Sequence, residues 1–289
     1  MRIIVTGAAG QLGKDLVPEL QSRGHEVIGV DLPELDITDR DGVLDFFSEK
    51  RPDAVIHCAA WTAVDIAEDE DKKEAVRRVN AYGTSNIAEA AGSVGAKMIY
   101  ISTDYIFDGR TGDRPWEAGD EAAPINHYGK TKYEGELAAA EFCDKLFIVR
   151  ISWVFGVHGK NFVATMLRLG RERKDLTVVA DQIGSPTYTP DLSRLLADMI
   201  ATEKYGKYHA TNEGFVSWYE FACEIFRLAS ERDPVYSDVK VTPVTSDEYP
   251  AKAARPANSR MSKAALDAAG FDRLPAWQDA LARYLDAVM

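Results

Sequence analysis

Tyr128 and Lys132 stand four residues apart in NHYGKTKYEGELAAAEF, a segment of helical composition. On a helix, residues i and i+4 share a face. A phenol beside an ammonium suits proton transfer to a carbonyl oxygen, and the cation is expected to favour phenolate and lower the tyrosine pKa toward neutrality. Spacing alone does not single the pair out. Tyr236 and Lys240 repeat it in DPVYSDVKVTPV, where β-branched residues and prolines make a poor helix. Thr103, at the end of the apolar run KMIYIS, offers a hydroxyl to the same oxygen. Hydride transfer to a ketone builds negative charge there, and a proton donor plus a second hydrogen bond would stabilise it.

A hydride needs a carrier. Gly7, Gly10 and Gly13 form G-x-x-G-x-x-G directly after the strand-like RIIVT. Glycine permits the tight turn and lets a pyrophosphate approach the backbone, while the following helix N-terminus presents free N–H groups. Asp31 ends the next apolar run, EVIGV. An acid there accepts hydrogen bonds from a ribose 2′-OH and repels a 2′-phosphate, so NADH is expected to be favoured over NADPH.

These residues must be held by alternating elements. We expect strands at 2–6, 26–30, 53–58, 97–102 and 147–152, with a short one at Leu35-Asp36-Ile37 and a further one at 206–211. Helices are expected at 11–23, kinked or locally strained by Pro18, then from an N-cap at Thr38 through Phe46 and Phe47. Others should run from about 67 to 91, around Tyr128, and at 161–173 and 191–202, with a strand at 177–181. Short apolar strands separated by helices indicate an α/β, Rossmann-like doubly wound parallel sheet. A smaller interleaved α+β lobe should carry the substrate. The expected division is 1–175 and 190–213 for the dinucleotide-binding unit, and 176–189 and 214–289 for the substrate lobe.

Composition narrows the class. The 289 residues carry a net charge of −12, which argues against nucleic acid or an anionic membrane as partner. No apolar run approaches the roughly 20 residues of a membrane-spanning helix, and no signal segment is seen, so a cytoplasmic location is expected. The three cysteines and five histidines show no metal-ligand spacing. The acidic run from Asp65 to Asp71 reads as a solvated helix start.

Taken together, Gly7/Gly10/Gly13, CAAW (58–61), STD (102–104), Tyr128/Lys132 and SWVFG resemble the extended short-chain dehydrogenase/reductases, which act largely on nucleotide sugars. GAAGQLG, CAAWTAVDIAE, STDYIFDG, YGKTKYEGE, RISWVFG, DQIGSPTYTPDL and RPANSRM are similar to the dTDP-4-dehydrorhamnose reductase branch of that family, nearly end to end. The resemblance implies NAD(P)H-dependent reduction of the C4 ketone of dTDP-6-deoxy-L-lyxo-4-hexulose to dTDP-L-rhamnose, for polysaccharide synthesis. It places Gly10, Gln11 and Leu12 at the cofactor pyrophosphate and Asp36 and Ile37 along the adenine. Ala59, Ala60, Trp61 and Ser102 would lie along the rest of the cofactor, although Trp61 stands where the family often has tyrosine.

On the substrate side the resemblance implies Asp104 at a sugar hydroxyl, Trp153 stacked on the sugar, and Asn161, Gln182 and Arg255 at the nucleotide. Arg255 suits a bidentate pyrophosphate contact. Related dehydratases place a glutamate after the Thr-Asp pair as elimination base. Tyr105 stands there instead, so simple reduction is expected. Other readings stay open: another nucleotide-sugar reductase or an epimerase that keeps its NAD, and a non-catalytic regulatory subunit of the methionine adenosyltransferase type. Some relatives hold a carboxylate-bound Mg2+ at a subunit contact. The sequence supports neither that metal nor a choice between monomer and homodimer.

Overall fold

In chain order the elements are β1 (Arg2–Thr6), α1 (Gln11–Ser22), β2 (Glu26–Val30), α2 (Arg40–Lys50), β3 (Ala54–His57), α3 (Lys73–Arg77), α4 (Thr84–Ser93), β4 (Lys97–Thr103), α5 (His127–Phe142) and β5 (Leu146–Ile151). There follow β6 (Val154–Phe155), α6 (Phe162–Glu172), β7 (Asp175–Val179), β8 (Ile183–Gly184), β9 (Thr187–Tyr188), α7 (Thr189–Ile200) and β10 (Gly206–His209). The last are β11 (Val216–Ser217), α8 (Trp218–Arg232), β12 (Lys240–Val244), β13 (Asn258–Ser259), α9 (Ala264–Ala269) and α10 (Trp277–Val288). This computed structural model describes residues 1–110, 112–249 and 251–289.

Six strands form one sheet in the order β10-β5-β4-β3-β1-β2, every pairing parallel. The two-residue period of a strand sends alternate side chains to opposite faces. Ile3, Val5, Ile56, Ile99 and Phe147 therefore meet α1 and α7 in one core. Ile4, Val55, Met98, Tyr100 and Ile148 meet α2 and α4 in another. With both faces covered, the strands read as unbroken apolar runs. From β1 the chain goes to β2 on one side and then to β3 on the other, so a crevice opens at the strands' C-terminal ends between them.

A third core lies beyond the sheet. It joins α6, α8, α10 and β7 through Phe155, Val163, Leu176, Phe221, Ile225 and Leu281. The small pairings β7–β12, β6–β9 and β8 with β11 and β13 belong to this region.

The elements correct several expectations. Leu35-Asp36-Ile37 is not a strand: the segment turns, with the Leu35 N–H donating to the Asp31 carbonyl at 3.0 Å, and its apolar side chains are buried from a loop. Asp39, not Thr38, caps α2 by accepting from the Gly42 N–H, because the Thr38 hydroxyl donates to Asp36 at 2.8 Å. Helix α1 runs unbroken through Pro18, which points to solvent. The expected helix over 67–91 is split into a 3-10 turn (Ile66–Glu68), α3, a turn of π-helix (Arg78–Gly83) and α4. The acidic run is partnered rather than merely solvated: Asp65 pairs with Arg255, Asp69 with Lys252, and the Glu68 carboxylate accepts from the His127 N–H.

Candidate active site

The crevice is a cavity of about 1020 Å³ at the C-terminal ends of β1, β2, β3, β4 and β5. The glycine loop forms one wall. Gly7 has φ +67°, and a Cβ there would sit 2.7 Å from the Ala59 nitrogen. A Cβ on Gly13 would sit 2.3 Å from the Gly7 carbonyl oxygen, so helix and turn pack backbone to backbone. No side chain caps α1, and the first N–H groups of a helix have no partner within it. Gln11 and Leu12 line the cavity, and free N–H groups at a helix start suit a phosphate. Asp31 accepts from the Ala9 N–H at 3.1 Å and also lines the cavity, with Asp36, Ile37, Ala59, Ala60 and Trp61 nearby along the wall.

Trp61 is placed by a residue that sequence reading missed. Asn80, fully buried in the π-helical turn, accepts from the Trp61 N–H at 2.8 Å and donates to the Trp61 carbonyl at 3.2 Å. Wide turns of this kind recur at functional sites. Asparagine inside an expected helix, with Gly83 shortly after it, was the available signal.

Across the cavity, α5 starts at Asn126, whose side chain accepts from the Gly129 N–H. Tyr128 and Lys132 both face the cavity. Thr103 is hydrogen-bonded to Tyr128 and also donates to Asp104 at 3.0 Å. The decoy is resolved by the fold: Tyr236 closes a 3-10 turn, and Lys240 begins β12.

Electrostatics differ from the simple expectation. Burial raises the Tyr128 phenol well above its ordinary range, opposed by the Thr103 hydrogen bond and reinforced by Asp104. Lys132 does not lower it. The ammonium instead donates to the Ile101 carbonyl at 2.7 Å and lies 4.2 Å from the Tyr100 ring centre. Burial brings Lys132 itself down to about 7, with Glu136 and then Cys58 opposing. A phenol that keeps its proton is still the right species to protonate an alkoxide. Burial also lifts Asp104 to about 6, against hydrogen bonds from Ser259 and Thr103. Its Oδ2 and the Trp61 Nε1 are buried without partners, an acceptor and a donor on residues that border the cavity.

Trp153 and Trp218 also line the cavity, with ring centroids 3.6 Å apart and planes within 14°. Trp153 has φ +49°, rare for a bulky side chain. Three expected site residues lie off the lining. Asn161 caps α6 and donates to Gln11 at 3.1 Å. Gln182 donates to Ser246. Arg255 pairs with Asp65 at 2.7 Å and hydrogen-bonds Tyr105, which does line the cavity. Among the described residues no group of three or more His, Cys, Asp or Glu side chains could hold a metal. No helix there is long and apolar enough to cross a membrane.

A parallel sheet with a glycine loop at its switch point, facing a Thr–Tyr–Lys set, defines a nicotinamide-dependent oxidoreductase of the Rossmann type. The chain belongs to the RmlD substrate binding domain family, whose model matches residues 1–289. It is 40% identical over 287 residues to dTDP-4-dehydrorhamnose reductase of Aggregatibacter actinomycetemcomitans, covering 97% of each chain. It is also 40% identical to the spore coat polysaccharide biosynthesis protein SpsK of Bacillus subtilis, covering 98% of this chain and 96% of that one. The crystal structure of dTDP-4-dehydrorhamnose reductase from Bacillus anthracis in complex with NADP superposes with a TM-score of 0.93 at 45% identity, covering 99% of both.

Proposed function

We propose that this enzyme reduces the C4 ketone of dTDP-6-deoxy-L-lyxo-4-hexulose (dTDP-4-dehydrorhamnose), giving dTDP-L-rhamnose in the cytoplasm. The observation that carries the reading is the Thr103–Tyr128 hydroxyl pair beside Lys132, facing the glycine loop across one cavity. Gly7, Gly10, Gln11, Leu12 and Gly13 hold the pyrophosphate, and Asp31, Asp36 and Ile37 the adenosine end. Ala59, Ala60, Trp61 and Ser102 border the rest. The bound nicotinamide supplies the hydride. Tyr128 gives its proton to the developing alkoxide, Thr103 hydrogen-bonds the same oxygen, and Lys132 holds the cofactor ribose and carries positive charge near the phenol.

Asp104 offers its unpaired Oδ2 to a sugar hydroxyl, and Trp153 stacks on the sugar. Arg255, paired with Asp65 through Nη2, keeps further N–H donors for the substrate pyrophosphate. Asn161, in the first unit and bonded to Gln11, and Gln182, in the second, support the nucleotide. NADH is favoured over NADPH, since Asp31 puts a carboxylate on the cavity wall and, among the described residues, no arginine lines the cavity. We keep the division into 1–175 with 190–213 and 176–189 with 214–289, noting that α6 packs in the third core and α9 in the first.

Oxidation of NADH at about 340 nm with dTDP-4-keto-6-deoxy sugar, against UDP- and GDP-linked 4-keto sugars, tests the substrate. Equal rates with all three would reject the dTDP assignment, and no net NADH consumption would reject reduction.

A further inference from the structure

Glu136 lies one helical turn beyond Lys132 on α5, on the face that Lys132 shares with Tyr128. Its side chain is 1% exposed. One oxygen accepts from Ser102, on the cavity wall, at 2.5 Å and from Arg150 Nε at 2.9 Å. The other accepts from Arg150 Nη2 at 2.7 Å. Arg150 in turn donates to the Ala118 carbonyl and lies 5.2 Å from the Phe107 ring centre. The carboxylate is therefore fixed from β4 and β5 at once.

Two charges taken from water cost stability, and a mere tie between helix and strand could be apolar. The charge has another use. Lys132 is 3% exposed, so burial works against its ammonium form. The groups facing it are neutral His57 at the end of β3 and Cys58 just after it, Tyr100 from β4, and Tyr128 and Glu136 from its own helix, with Asp104 beyond Tyr128. Of these, Glu136 is the carboxylate that favours the cation most.

We propose that Glu136 is the counter-charge of Lys132, a positioning residue that acts through the ammonium and never touches substrate, with Ser102 and Arg150 holding its carboxylate in place. The inference rests on the role assigned above to Lys132. It makes Ser102 a link between the cavity wall and this carboxylate as well as a neighbour of the cofactor. It also explains why the Glu136–Arg150 ion pair is kept buried between α5 and β5.

The sign follows directly. Lys132 is charged below its pKa, so activity that needs the ammonium falls as pH rises through that value. Removing the Glu136 charge moves the loss to lower pH. The test follows the 13Cε resonance of Lys132 in the cofactor-free protein, assigned by its absence in Lys132→Met, together with the pH profile of kcat/KM. Glu136→Gln should shift both down by about one pH unit or more. Because that variant leaves Arg150 buried without its partner, Glu136→Gln/Arg150→Gln is measured beside it. A downward shift is expected there too, read without an unpaired guanidinium left in the interior. A folded variant of either kind in which Lys132 titrates as in the parent overturns the inference. Full turnover in Lys132→Met would reject the role of Lys132 instead, leaving the resonance to report on Glu136 alone.

Discussion

The two walls of the cavity are built on opposite principles. The glycine wall works by leaving side chains out: at Gly7 and Gly13 an added Cβ would meet backbone atoms at 2.7 and 2.3 Å. Recognition there is carried by the backbone and by a helix N-terminus, and nearly all of it comes from one stretch of chain. The facing wall works by putting large side chains in. Trp153 and Trp218 stack at 3.6 Å, the Tyr105 and Tyr128 rings meet edge to face at 5.6 Å, and Trp153 is held at φ +49°. Its parts come from β4, α5, the loop after β5 and α8. One wall should be intolerant of added atoms, the other of removed ones.

The sharpest way to break the first wall is Gly13→Val. The neighbouring atoms are backbone and cannot yield, so we expect loss of cofactor binding, by about 10²-fold or more, together with a lower Tm (the scale of a 1–3 kcal/mol overpacking penalty or above). Calorimetry and NADH fluorescence titration check both, and a Kd near the parent's would show that the loop is looser than its geometry says. Tyr128→Phe removes one oxygen from the second wall. Turnover should fall by about 10²-fold or more with Tm and NADH affinity kept. Near-normal kcat would end the assignment of Tyr128 as proton donor.

Smaller effects sharpen the contrast. Trp218→Leu takes away the ring behind Trp153, worth about 1 kcal/mol of stacking. The KM of the nucleotide sugar should rise roughly fivefold while the Kd of NADH stays put. If both move together, the walls are not independent. Asp31→Asn keeps an acceptor for the Ala9 N–H but removes a charge worth about 1 kcal/mol at contact distance in water. The ratio of kcat/KM for NADPH over NADH should then rise about fivefold, and an unchanged ratio would detach Asp31 from cofactor choice.

This contrast is also why one wall was readable in advance and the other only in part. Strand 2–6, helix 11–22 and strand 26–30 follow from local periodicity, and the glycine spacing sits between them. The Tyr128 helix was legible for the same reason, and the Tyr236 decoy failed on its composition. Where tertiary contacts override local preference, the reading slipped. Thr38 looked like a cap, but Asp36 takes its hydroxyl. The stretch 67–91 looked like one helix, but Asn80 is turned to the Trp61 backbone through a wide turn. Lys132 was expected to act on Tyr128, but its ammonium finds the Ile101 carbonyl and the Tyr100 ring.

By itself, the sequence determined the alternating α/β order, the backbone-built glycine loop and the identity of the Thr, Tyr and Lys that face it. These depend on side-chain period and on spacing within single elements, which the chain carries locally. Only the tertiary structure decided the rest: that Trp218 backs Trp153, that Asn161 is bonded to Gln11, that Arg255 is held by Asp65, and that Glu136 sits buried between Ser102 and Arg150. Each is a pairing between residues remote in sequence. Burial, which sets the charge of Lys132 and the proton of Tyr128, exists only once the chain has closed around them.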